Sequence, residues 1–132
     1  MDAQEKQITL EFRPAEIAEI VPLIEKAAQF HTDGWPFDAN EVAQAGQRFV
    51  CVQDGVPVLG FVLEIQHKDV YIMAAGSVGK LDFTKIGLAA IEAMAANHDS
   101  VSFTTKRPGL VKKAQRHGYE IEGYILRKKI KK

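Results

Sequence analysis

The stretch from Val70 to Thr105 constrains the fold most. Ile86, Leu88, Ala89, Ala90, Ile91, Ala93, Met94 and Ala95 form a run that is apolar on most sides and rich in small residues. That pattern marks a helix buried against a sheet. Asp82 or Thr84 can cap its start. The strand-like run Val70-Tyr71-Ile72-Met73-Ala74-Ala75 precedes it, across the loop Gly76–Leu81, and Val101-Ser102-Phe103-Thr104-Thr105 follows it. A strand, a helix and a strand in this order make a right-handed crossover, so the two strands are expected to lie parallel.

The rest of the chain reads as hairpins and amphipathic helices. Gln7–Arg13 alternates polar with apolar residues, as a half-buried strand does. Ile17, Ile20, Val21, Ile24, Ala27 and Ala28 then recur at helical spacing, which predicts a first helix over about residues 14–31. Pro14 suits its first turn, and Pro22 is expected to kink it or mark its true start. A loop, His31–Asp38, holds Trp35, Pro36 and Phe37, and a short helix is expected near Ala39–Gly46. Arg48–Gln53 and Pro57–Gln66 flank Asp54-Gly55, a strong two-residue hairpin signal, and His67-Lys68-Asp69 leads on to the third strand of a meander. After the crossover come a helix at about Pro108–His117, a break at Gly118, and an alternating run Tyr119–Arg127 that predicts one or two closing strands. Neither a linker nor a repeat divides the chain, so one domain over residues 1–132 is expected, an α/β (α+β) unit with a mixed, mainly antiparallel central sheet.

Composition narrows the function classes. With 46% apolar and 26% charged residues the chain is neither disordered nor fibrous. No apolar run approaches the roughly 20 residues of a membrane span, and Met1–Lys6 does not read as a leader. Cys51 is the single cysteine, so neither an internal disulfide nor a cysteine zinc site is expected. A cytoplasmic setting fits these features. His31, His67, His98 and His117 form no pair at helical spacing, so no metal site is expected. The neutral total hides an asymmetry: residues 1–100 carry a net −8 and residues 101–132 a net +8. The basic end can attract phosphate groups or serve as a solvated, pairing-resistant surface. Nucleic acid is the weaker partner for it, because no reading helix or aromatic platform accompanies the charge.

The order of elements, together with Phe12-Arg13-Pro14-Ala15 before Ile17 and Ile20 and the late run His117-Gly118-Tyr119-Glu120-Ile121-Glu122-Gly123, resembles the GNAT superfamily of N-acetyltransferases over nearly the whole chain. The resemblance implies a splayed parallel pair of strands, helices on both faces of the sheet, and a loop entering the central helix that binds the pyrophosphate of acetyl-coenzyme A (acetyl-CoA). Exposed amides at a helix N-terminus suit an anion. The family pattern there is Arg or Gln, two residues, Gly, one residue, then Gly or Ala. Thr84-Lys85-Ile86-Gly87-Leu88-Ala89 matches the Gly and the final Ala, with Thr84 at the first place. Gly76-Ser77-Val78-Gly79-Lys80-Leu81 matches only Gly79. The expected coenzyme-binding residues are therefore Gly79, Lys80, Thr84, Lys85, Gly87 and Ala89. Gly87 and Ala89 have a second explanation, close packing of the helix on the sheet.

Acetyl transfer to an amine needs a base, donors for the thioester carbonyl and an acid for the thiolate. The family's usual late Tyr and Asn are absent, their places falling in Ala114–His117 and Thr105–Pro108. Glu64, in the apolar strand Leu59–Ile65, is the candidate base, and Tyr119 or Tyr124 the stand-in acid; an outward-facing strand carboxylate and packing rings with polar tips are the alternative explanations. The Trp35-Pro36-Phe37 loop can cover an acceptor or plug the core. Lys106, Arg107, Lys112, Lys113 and Arg116 can meet the adenosine phosphate or form the wet face of a helix. The expected activity is transfer of an acetyl group from acetyl-CoA to a small-molecule or peptide amine. The rival is a catalytically degenerate protein of the same fold that serves as a binding or structural component, as in a phage particle. Closing strands in that family often meet a second copy, so a homodimer is also an expectation.

Overall fold

The computed structural model describes residues 10–28, 38–78, 83–105 and 107–131. In order they form β1 (Leu10–Pro14), α1 (Ile17–Ala28), α2 (Ala39–Ala45), β2 (Gln47–Gln53), β3 (Val56–Gln66), β4 (Asp69–Ser77), α3 (Phe83–Met94), β5 (Ser100–Ser102) and α4 (Pro108–Arg116). The strands make one sheet in chain order, antiparallel from β1 to β4 and parallel between β4 and β5. The mixed sheet and its parallel crossover are those expected.

Alternation along the strands sorts the core into two layers. Val50, Val52, Val62 and Ala74 face Ile20, Leu23 and Ile24 of α1 and Ala39 and Ala43 of α2. Cys51, Leu59, Phe61, Leu63, Val70 and Ile72 face Leu88 and Ile91 of α3. Helices therefore cover both faces. Ile20, Ile24, Val50, Phe61 and Val62 are fully enclosed, and each such side chain contributes about 1.5–3 kcal/mol through burial.

Local chemistry sets the connections. Asp54 and Gly55 take φ of 50° and 84°, the left-handed pair that lets a two-residue turn match the strand twist. His67 (φ 57°) begins the turn into β4. Asp38 caps α2, its carboxylate accepting from the Asn40 and Glu41 amides. Arg48 fastens β2 to its surroundings by donating to the carbonyls of Ala15 (3.0 Å) and Ala43 (2.7 Å). Arg13 grips Glu19 through both guanidinium ends, at 2.9 and 2.6 Å, and joins β1 to the first turn of α1.

Three expectations are corrected. Pro14 ends β1 opposite Phe49 rather than opening a helix, which an edge strand permits. Pro22 sits inside α1, which excludes the second of its two expected roles, that of marking the helix start; Pro22 and Ala18 are both exposed, so water can serve the Ala18 carbonyl that loses its donor. The alternating run Tyr119–Arg127 forms no strand: the chain after α4 is irregular and, from Glu120 on, exposed. Alternation specifies a strand only where an edge is offered for pairing, and no described segment of this chain pairs with it. Gln7–Thr9, the end of the first expected helix and the Trp35 loop lie outside the described residues.

Candidate functional site

β4 and β5 are joined at one end and part at the other. Only Asp69, Val70 and Tyr71 pair with Ser100, Val101 and Ser102. The joint is fastened by the Asp69 carboxylate, which accepts from the hydroxyls of Ser100 (2.7 Å) and Ser102 (2.6 Å), and by the Asp99 amide, which donates to the Lys68 carbonyl at 2.7 Å. The Tyr71 hydroxyl reaches Thr104 Oγ1 at 3.1 Å, the last tie before the strands diverge. Among the described residues no strand pairs with this side of β4 beyond Tyr71. Beside that edge, Ala74–Ser77 border a space.

That space is a cleft of about 190 Å³. Its floor is apolar, made by Leu59, Phe61, Ile72 and Leu88, and its rim carries Ser77, Thr84, Thr104, Thr105 and Arg107. α3 descends over it, with Thr84 and Gly87 in the lining. A Cβ on Gly87 would stand 3.3 Å from Leu59 Cδ2, so the same glycine also lets the helix sit close to the sheet. Register supplies one more feature. Val62 pairs with Ala74 and Leu63 with Ile72, which leaves Met73 as an extra residue in β4. A bulge of this kind bends its strand and interrupts the ladder.

The residues singled out from the sequence fall in different places. Thr84 and Gly87 line the cleft; Lys85 and Ala89 are exposed and do not. Gly79 and Lys80 lie outside the described residues. Glu64 stands opposite Tyr71, at the joined end, where it accepts from the Gln66 amide. Tyr119 packs its ring against Phe103 at 5.7 Å between centroids and donates to Glu92 Oε2 at 2.9 Å. Burial, then the Glu92 carboxylate, pushes its phenol well above the ordinary range. Phe103 belongs to the cleft lining and Tyr119 does not, so the phenol lies one ring behind the wall. Ser77, Thr104 and Thr105 went unnoticed in the sequence. Hydroxyl residues at strand ends are common, and only the two threonines that close the strand-like run Val101–Thr105 hint at a rim.

No protein-family model matches the sequence, and no curated protein does. Solved structures do. An aminoglycoside N-acetyltransferase, AAC(6')-Iy, in complex with CoA superposes at a TM-score of 0.62 and 17% identity, over 97% of this chain and 99% of that one. An aminoglycoside acetyltransferase from an uncultured soil metagenomic sample, in complex with sisomicin, gives 0.61 and 12%, over 92% and 97%. The ribosomal-protein-S18-alanine N-acetyltransferase from Escherichia coli gives 0.58 and 11%, over 83% and 76%. The chain has the GNAT acetyltransferase fold. No helix among the described residues is long and apolar enough to cross a membrane.

Proposed function

We propose that the protein is an N-acetyltransferase that takes its acetyl group from acetyl-CoA and passes it to an amine. The divergence of β4 from β5 beside the start of α3 is the observation that carries this reading. A slot between two strands accepts a linear chain, and its 190 Å³ is less than the roughly 300–1,000 Å³ of pockets that enclose a whole drug-sized ligand. The amide-bearing arm of the coenzyme is such a chain, and the free edge of β4 offers it the hydrogen bonds of a strand partner. The first amides of α3 lack intrahelical acceptors and carry the positive end of the helix dipole. They suit the pyrophosphate, with Thr84 and Gly87 beside it. In the reaction the amine nitrogen bonds to the thioester carbonyl carbon, the carbon–sulfur bond breaks, and the thiolate takes up a proton. Two structural neighbours are aminoglycoside acetyltransferases and a third acetylates an alanine, which supports an amine acceptor. The proposed setting is the cytoplasm and the proposed assembly a homodimer.

One observation favours a second reading, a coenzyme-binding protein without turnover. Among the described residues the cleft lining holds hydroxyls and a guanidinium but neither carboxylate nor imidazole. Calorimetric titration with acetyl-CoA tests what the two readings share: micromolar binding and a raised Tm are expected, and no heat with no thermal shift at millimolar ligand overturns both. Release of free thiol on adding aminoglycosides or peptide α-amines then identifies the enzyme. Binding without thiol release across that panel identifies the binder.

A further inference from the structure

We propose that Tyr71 and Tyr119 are positioning residues that set how long an acyl group the cleft accepts, by bracing from behind the thin wall Phe103–Thr105 at its inner end. This rests on the coenzyme reading and adds to it a chain-length limit and the side chains that impose it.

The cleft has a polar end and an apolar one. Ser77, at the end of β4, and Thr84, at the start of α3, mark the mouth. From there the lining passes by Ala75 and Gly87 to Ile72, Ile91 and Phe103. A pyrophosphate at the first amides of α3 directs the rest of the coenzyme inward along β4. The acyl group then lies deepest, among apolar side chains and beside the tie between Tyr71 and Thr104.

The barrier at that end is one chain thick. Phe103, Thr104 and Thr105 line the cleft on one side and a wider hollow of about 1270 Å³ on the other. They follow β5, whose pairing with β4 stops at Ser102, so this ladder does not hold them. Side chains do. The Phe103 ring rests on Tyr119 at 5.7 Å between centroids, and Thr104 Oγ1 accepts from the Tyr71 hydroxyl at 3.1 Å. Thr105 Oγ1 accepts from the Arg107 amide, also at 3.1 Å. Tyr119 is itself anchored to Glu92 of α3. Both tyrosines line the hollow and neither lines the cleft, so they act on a bound acyl group only through the wall.

A fixed wall and a yielding one give opposite chain-length dependence. A closed apolar pocket rejects one methylene too many by about tenfold or more. If the wall gives way, the acyl end passes toward Ala95, Val111 and Ala114 on the far side, where each buried methylene strengthens binding about fourfold.

Calorimetric titration of the full chain with acetyl-, butyryl- and hexanoyl-CoA, without an acceptor, tests this. In the parent, affinity should fall at least about tenfold from acetyl to butyryl and further to hexanoyl. Tyr71→Phe, which removes only the hydroxyl that holds Thr104, should abolish that penalty. Tyr119→Leu, which removes the ring behind Phe103, should abolish it too, whereas Tyr119→Phe keeps the ring and should keep the penalty. A tyrosine that only stabilised the fold would weaken all three ligands together and leave their ratios unchanged. Butyryl-CoA bound by the parent as tightly as acetyl-CoA, or the parent's ratios in Tyr71→Phe or in a folded Tyr119→Leu, overturns the inference and leaves the coenzyme reading standing. Loss of the penalty in Tyr119→Phe also overturns it, because the bond to Glu92 and not the ring would then be the brace. No binding of any of the three by the parent overturns both. If Tyr119→Leu shows no cooperative melting transition, Tyr71→Phe decides alone.

Discussion

Gly60 and Gly76 face each other across β3 and β4, and together they seat α1. Replacing either with alanine adds one methyl group against the same helix, yet the two should differ sharply. A Cβ on Gly60 would meet Ile20 Cδ1 at 2.4 Å and Leu23 Cδ1 at 3.0 Å, both ends of side chains that can turn aside. A Cβ on Gly76 would meet the Leu23 carbonyl oxygen at 1.9 Å and its carbon at 2.7 Å. Backbone cannot turn aside. To restore an ordinary contact of 3.4 Å, α1 must retreat by about 1.5 Å, and a radial gap of 0.5–1 Å already forfeits a quarter to a half of the dispersion well for the side chains beneath. Those are Ile20, Leu23 and Ile24, all buried. Overpacking costs typically 1–3 kcal/mol, and a glycine-to-alanine change offsets about 0.4–1 kcal/mol of that by restricting the unfolded chain. Gly60→Ala should therefore destabilise by about 1–2 kcal/mol, and Gly76→Ala by about 3 kcal/mol or more. Urea titrations followed by tryptophan fluorescence and circular dichroism measure both, as a lower midpoint at unchanged slope. Equal losses, or a harmless Gly76→Ala, would refute the argument that helix backbone rather than side-chain ends sets the limit.

Further outcomes can be checked separately. The Arg13 guanidinium, aided by the Glu16 amide, holds the Glu19 carboxyl down to about 2 from an ordinary 4.5; carbon-detected NMR titration should show that midpoint, and Arg13→Gln should raise it. Because the folded value is depressed, this carboxylate stabilises the protein above pH 4.5 and that contribution disappears as pH falls through about 2. Tyr119→Phe keeps the ring on Phe103 and loses the bond to Glu92, at about 0.5–1.5 kcal/mol. In the parent protein the raised phenol should ionise above the usual pH 10 in an absorbance titration, its stabilisation being full below pH 10 and lost as pH climbs through the folded value. Asp69→Ala frees the hydroxyls of Ser100 and Ser102 and should cost about 1.5–3 kcal/mol, as hydrogen bonds to charged groups do. Hydrogen exchange at Val101 and Ser102 should rise; exchange unchanged from the parent would remove Asp69 from its role as fastener.

Residues that carry their own backbone requirement were the easiest to read. Asp54-Gly55 specifies left-handed geometry within two positions, and the hairpin follows from it. The crossover was legible because α3 is apolar on most sides and therefore had to be covered. Features that depend on distant pairing were not. The bulge at Met73 depends on how β3 and β4 share hydrogen bonds over their length, and Met73 itself has the composition of any strand residue. The alternation after Gly118 was read as one or two closing strands and forms none, because alternation says which faces an extended segment would present and not whether an edge receives it. At the site, Gly87 suited two explanations: the close approach of α3 to Leu59 answers to packing, and the place of Gly87 in the cleft lining is what the coenzyme proposal rests on. Glu64 and Tyr119 were chosen for their chemistry, whereas membership of the cleft lining is decided by strand divergence, which no local pattern records.

The fastening of β4 to β5 through Asp69 makes the pair a lever with its fulcrum at one end. β4 is held along its length by β3, so the arm that can move is the continuation of β5: from Ser102 to Thr105 it spans at most about 10 Å at 3.3 Å per residue, and a swing of roughly 10° about the fulcrum displaces its tip by about 1.7 Å. Movements too small to disturb the serine clasp thus become changes of atomic size at the mouth. A substitution near Asp69 can in this way alter what the opening admits without touching anything that enters it.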